Sequence, residues 1–122
     1  MARPKHLNLF QIRQPIPAFV SILHRISGAG LFLFIGFLLW LLEGSLASAQ
    51  SYAEIKGTMG HPLVKILLLG LIWAFLHHLF AGVRHLALDL HIGAELAAAR
   101  TSSYLVLAAS IGLTVILGVS LW

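Results

Sequence analysis

Residues 73–89 read W-A-F-L-H-H-L-F-A-G-V-R-H-L-A-L-D and place three histidines, an arginine and an aspartate in, or at the end of, a hydrophobic run that begins at Leu63. Ionisable groups in such a run must be paired, ligated or neutralised, because each otherwise carries a large desolvation penalty. On a helix turning about 100° per residue, His78, Gly82, His85 and Asp89 fall at i, i+4, i+7 and i+11, within one narrow stripe. One turn after His78, Gly82 adds no side chain. A flat group bound at His78, such as a porphyrin, could lie close against the backbone there. A small residue in a membrane helix equally serves the close approach of a neighbouring helix.

Working outward, 59% of the 122 residues are hydrophobic and only 10% are charged, a composition suited to a membrane protein rather than a soluble domain of this size. Residues 26–42, 66–83 and 101–122 carry no formal charge. Spanning a bilayer takes roughly 20 predominantly apolar residues, so each stretch qualifies once its flanks are added. The expected fold is all-α: one transmembrane domain over residues 1–122, with an N-terminal arm at 1–17 and helices at about 18–42, 63–90 and 102–122. No cysteine is present, which excludes thiolate ligation and disulfides. Any metal must be held by histidine or carboxylate.

The net charge of +4 is less informative than its distribution. Arg3, Lys5, Arg13 and Arg25 precede or open the first span, and Arg84 and Arg100 lie between the second and third. Lys56 and Lys65 stand alone on the other side. The positive-inside rule then places the N-terminus and the second loop in the cytoplasm. No basic cluster sits on a soluble module, so the charge does not indicate nucleic-acid binding.

The arm at 1–17 is basic and holds three prolines, of which Pro15 and Pro17 break it from the first helix. Ala47-Ser48-Ala49 resembles a small-residue cleavage site, but the leader is too long and proline-broken for a secretory signal; the segment is kept as a mature helix. In the first helix Ser21, Arg25 and Gly28 share a face, with His24, Ser27 and Gly28 beside it. Arg25 reads either as a snorkelling anchor or as part of a polar pocket. Residues 43–62 are expected to form a polar loop, in which His61 is solvated. The second helix places His78 about 10 Å deeper than His85.

Because these two helices run antiparallel, His24 and Arg25 face the level of Arg84 and His85. The expected result is a cationic, hydrogen-bonding ring at the cytoplasmic side with His78 beneath it, shaped for an anionic amphiphile with a flat apolar body. Haem b fits, with His78 on iron and propionates against His24, Arg25 and His85. Residues 91–101 are expected to form a short loop, with one amphipathic turn at 94–100. The third helix is expected to be structural, with Ser110, Gly112, Thr114 and Gly118 for close packing and Trp122 as an interfacial anchor.

The segments S-I-L-H-R-I-S-G at 21–28 and H-H-L-F-A-G-V-R-H-L-A-L-D at 77–89 closely resemble the cytochrome b subunits of bacterial succinate dehydrogenases. The opening Arg3-Pro4, followed by His6 and Leu7, is similar too, although R-P-K-H departs from the commoner R-P-x-S-P-H. The resemblance covers the whole chain. It implies that His78, rather than His77, is the axial ligand of haem b, that Ser21 and Arg25 line a ubiquinone site, and that His24 and His85 lie by the propionates.

The resemblance also implies a second small membrane anchor supplying the other axial histidine, an iron–sulfur subunit, a flavoprotein subunit, and a bacterial inner membrane around the assembly. This chain would not oxidise succinate itself but support electron transfer to ubiquinone, with protons drawn from the cytoplasmic side near Asp89. Two other readings are a haem-free quinone-binding anchor of a fumarate reductase and a small transporter or proton channel. Against the latter, the polar residues cluster at one side of the membrane and leave the third helix without a relay.

Overall fold

The computed structural model describes residues 13–122. Most of the expected arm, with Arg3-Pro4 and His6, lies outside the described residues. Among those described, the ordered elements are all helical: α1 (Ile16–Leu33), α2 (Ile35–Ala47), α3 (Ala49–Met59), α4 (Pro62–Asp89) and α5 (Leu96–Leu121). Three of these, α1, α4 and α5, are long and apolar enough to cross a membrane. Phe32, Leu33, Leu46 and Val119 are each more than three-quarters exposed. Such a surface is a liability in water and suited to contact with lipid.

The first span is longer and less regular than the expected 18–42 helix. It opens at Ile16, with proline in its first turn, and is interrupted at Phe34, where ψ of 6° departs from helical geometry. The hydrogen bonds from Phe34 N–H to Gly30 and from Leu38 N–H to Phe34 carry across the interruption. The helix is therefore interrupted without ending, and α2 continues to Ala47.

The expected loop at 43–62 is instead largely α3. Ser48 caps it by accepting from the Ser51 N–H at 3.0 Å, and the Ser51 hydroxyl donates back to the Gly44 carbonyl at 2.6 Å. Ile55 packs with Leu41 and Leu68 in a small core joining α2, α3 and α4. A Cβ at Gly44 would come within 2.7 Å of the Ile55 side chain, so the glycine lets α3 fold back onto α2. His61 is not merely solvated: its Nδ1 accepts from the Leu63 N–H at 3.2 Å and caps α4, with Pro62 in the first turn.

At the other end of α4 the chain reverses through His91 and Gly93, both with positive φ, and α5 begins at Leu96 rather than at the expected 102. The amphipathic turn expected at 94–100 is largely the first turn of α5. Val20, Ala81 and Val106 form the core where α1, α4 and α5 meet. Fully buried Ser103 and Ser110 lie on the same side of α5 as Val106, and each donates to a carbonyl of its own helix, Ala99 and Leu107. Ser110 and Gly118 thus fulfil their expected packing role, Gly118 against Leu69, whereas Gly112 faces open space.

Candidate functional site

Helix α4 turns His77 and His78 in different directions. His77 is fully buried, its ring stacked on Trp73 at 5.0 Å and its Nε2 3.5 Å from the Val20 carbonyl. His78 opens instead onto a groove of about 650 Å³ between α1 and α4. Ser21, His24 and Arg25 border this groove from α1, and His85 joins His78 from α4. Leu79, Val83 and Leu86 give it apolar walls, with Gly82 between them. Ser21, His24, Arg25, His78 and His85, the residues for which the sequence suggests haem or quinone contacts, therefore border one cavity, whose volume suits a small-molecule site.

A carbonyl of α1 sets the orientation of the His78 ring. His78 Nδ1 lies 3.0 Å from the His24 carbonyl, which can only accept, so Nδ1 is the donor and, in the neutral imidazole, the lone pair falls on Nε2. The Ser27 hydroxyl donates to the same carbonyl at 2.8 Å and lies 3.3 Å from Nδ1. Ser27, 2% exposed, thus belongs to the support of this imidazole. The sequence placed it on the right face of α1 but gave no sign of that role.

Gly28 completes the seat. A Cβ there would stand 2.8 Å from His78 Cε1, closer than packed atoms approach, so glycine is what permits the ring to lie against α1. At Gly82, singled out from the sequence, a Cβ would meet only His24 Nε2 at 3.5 Å, an ordinary contact. The tight glycine therefore sits across the helix interface, where spacing within α4 could not reveal it.

Three imidazoles line the groove in series. The His24 ring stacks on His78 at 4.1 Å with 9° between planes and lies 5.0 Å from His85 at 58°. Arg25 is exposed at the rim. Arg84, expected at the same level, is turned the other way: its Nε donates to the Ser102 hydroxyl at 2.9 Å and an NH2 group to the Ala99 carbonyl at 3.4 Å. The physical reason is the 100° step from His85, which aims Arg84 at α5. The basic ring thus reduces to His24, Arg25 and His85. Asp89 is exposed beyond the groove lining.

Among the described residues no three His, Cys, Asp or Glu side chains converge as a cage for a metal ion. The groove can instead offer one neutral imidazole nitrogen to a metal already held in a flat ligand, together with cationic and hydrogen-bonding groups for its carboxylates.

The family model for the succinate dehydrogenase/fumarate reductase transmembrane subunit matches residues 1–117. The chain is 38% identical over 121 residues to the succinate dehydrogenase cytochrome b556 subunit of Coxiella burnetii, covering 98% of this chain and 97% of that one. It is 35% identical over 114 residues to the subunit of the same name from Paracoccus denitrificans, covering 93% and 88%. Identity to the Rickettsia felis subunit of that name is 32% over 114 residues, covering 93% and 87%.

Proposed function

The chain belongs to the succinate dehydrogenase/fumarate reductase transmembrane subunit family, and we propose that within it the chain binds haem b and ubiquinone and supports electron transfer from succinate to the quinone. The observation that carries this reading is the groove that gathers Ser21, His24, Arg25, His78 and His85, with His78 Nδ1 committed to a backbone carbonyl. That tautomer makes Nε2 the ligating atom, and a backbone partner behind a ligating histidine is the usual way such a ring is oriented. His24, Arg25 and His85 supply hydrogen bonds and positive charge for the propionates. When bound, the haem supplies a one-electron redox centre beside the quinone pocket.

Ser21 and Arg25, one turn apart on α1, serve the quinone. The Ser21 hydroxyl donates to a quinone carbonyl, and the Arg25 guanidinium at the rim stabilises negative charge that develops there during reduction. The apolar walls Leu79, Val83 and Leu86 lower the local dielectric on one side of that carbonyl and strengthen both interactions. A second small anchor would supply the iron's remaining protein ligand. A flavoprotein subunit oxidises succinate, and an iron–sulfur subunit delivers the electrons from the cytoplasmic face of the bacterial inner membrane.

The test is the visible spectrum of the dithionite-reduced, intact complex. The expected result is a low-spin b-type spectrum that is lost or strongly perturbed in His78→Ala. An unchanged spectrum in that variant sinks the ligand assignment, and absence of the spectrum from the wild-type complex selects the haem-free quinone anchor.

A further inference from the structure

A second polar cavity, of about 470 Å³, lies on the opposite flank of α1, between its beginning and that of α5. Among the described residues it is lined by Arg13, Gln14, Arg100 and Tyr104, with Pro15, Ile16 and Phe19 beneath them, and by no carboxylate. Two guanidinium groups on one cavity repel each other unless an anion lies between them. Helix α1 adds to the field, because it opens at this cavity with no side-chain cap and no acidic residue in its first turn. Among the described residues, then, no side-chain cap or acidic group offsets its first N–H groups and the positive end of its dipole. Residues 1–12 contain no Asp or Glu, so the chain's own arm brings no side-chain carboxylate to it.

The surroundings indicate what carries the anion. The cavity sits at the end of the bundle where two apolar spans begin, the depth of a membrane headgroup. Phe19 and Tyr104 are 44% and 61% exposed beside it. Ile111 and Val115, 53% and 59% exposed, continue the Tyr104 face of α5 toward the membrane interior at helical spacing. A phosphate at the arginines with acyl chains along that face matches both the charge and the apolar surface. We infer that Arg13, Arg100 and Tyr104 form a headgroup site for an anionic phospholipid, separate from the His78 groove. The arginines meet the phosphodiester oxygens in charge-assisted hydrogen bonds, the Tyr104 hydroxyl adds a donor, and the Gln14 amide meets the polar part of the headgroup.

The test is native mass spectrometry of the intact, delipidated complex titrated with phosphatidylglycerol and, separately, phosphatidylcholine. The wild-type complex should hold one phosphatidylglycerol in clear preference to phosphatidylcholine. Arg13→Gln and Arg100→Gln should each weaken that lipid about fivefold, the effect of one basic side chain at an anionic membrane surface. The double variant should show no preference, and the double lysine variant should keep most of it. The b-type spectrum should stay as in wild type, which separates this site from the haem reading; should the double variant not assemble, the single variants decide.

Unchanged phosphatidylglycerol binding in the variants overturns the proposal. So does displacement of the lipid by equimolar inorganic phosphate, which would make the ligand a free anion. Release of the soluble subunits from the double variant with the lipid retained would also overturn it, by assigning the arginines to an acidic protein segment.

Discussion

At the scale of single residues, the two neighbouring histidines of α4 differ in surroundings, and the proposed function assigns ligation to only one of them. His77 is sealed between Trp73 and the Val20 carbonyl, whereas His78 faces the groove. His77→Ala should keep a b-type spectrum close to wild type while lowering the thermal stability of the complex, by about 1–3 kcal/mol as core truncations do. Gly28 gives a sharper test, because its effect passes through the His78 ring alone. Gly28→Ala places a methyl group 2.8 Å from His78 Cε1, which the ring must relieve by moving. The expected outcome is a shifted haem spectrum or potential with the iron still ligated. Gly30→Ala, which meets nothing within 4 Å, should leave both unchanged, and an unshifted spectrum in Gly28→Ala would show that the ring is not seated against α1 in the complex.

At the scale of the helices, the proposed function gives α1 two roles on adjoining faces, and their separation can be measured. Ser21→Ala and Arg25→Leu should each impair quinone reduction while leaving reduction of an artificial dye by succinate intact, since the flavin and clusters reside in other chains. Loss of one hydrogen bond to a buried partner costs about 1–3 kcal/mol, and each 1.4 kcal/mol is roughly tenfold in rate. Ser21→Ala should therefore lower quinone reductase activity by about one order of magnitude, and Arg25→Leu by more. Full activity in both variants would place the quinone elsewhere.

A different helix pair depends on Arg84, whose buried guanidinium is satisfied by Ser102 and Ala99 of α5. Ser102→Ala leaves a buried charged donor without its partner and should lower the melting temperature of the complex, a loss of about 1–3 kcal/mol, without changing the haem spectrum. The stripe of His78 and His85 was legible in the sequence because i and i+7 share a face whatever the neighbours are. The orientation of Arg84 was less so, since a charge pattern gives depth in the membrane while only packing gives direction. Helix α3 was missed for another reason: its polar composition resembles a loop, and its helicity depends on the Ser48 cap and on Ile55 docking against Leu41 and Leu68. The interruption at Phe34 had no sequence signal, because an apolar phenylalanine announces no break.

For the molecule as a whole, the two ends of the bundle differ in charge and in construction, and this asymmetry predicts which way the site faces. Arg13, Arg25, Arg84 and Arg100 belong to the end at which α1 and α5 begin and α4 closes. The other end holds Lys56 and Lys65, with Lys65 Nζ 5.9 Å from the Trp122 ring centroid and the indole N–H donating to the Met59 carbonyl at 3.2 Å. Trp122 thus ties the end of α5 to the end of α3, a short polar helix folded back on α2, an arrangement suited to a membrane interface. Arginine-rich termini of membrane spans stay in the cytoplasm, and the groove of Ser21, His24, Arg25 and His85 opens near that end. Electrons from a cytoplasmic iron–sulfur subunit can reach a quinone there only if the N-terminus is cytoplasmic as well. A reporter active only outside the cytoplasm should accordingly work when fused after Trp122 and fail when inserted at Ala94, in the turn between α4 and α5. The opposite pattern would turn the groove away from the soluble subunits and overturn the proposed route of electrons from succinate.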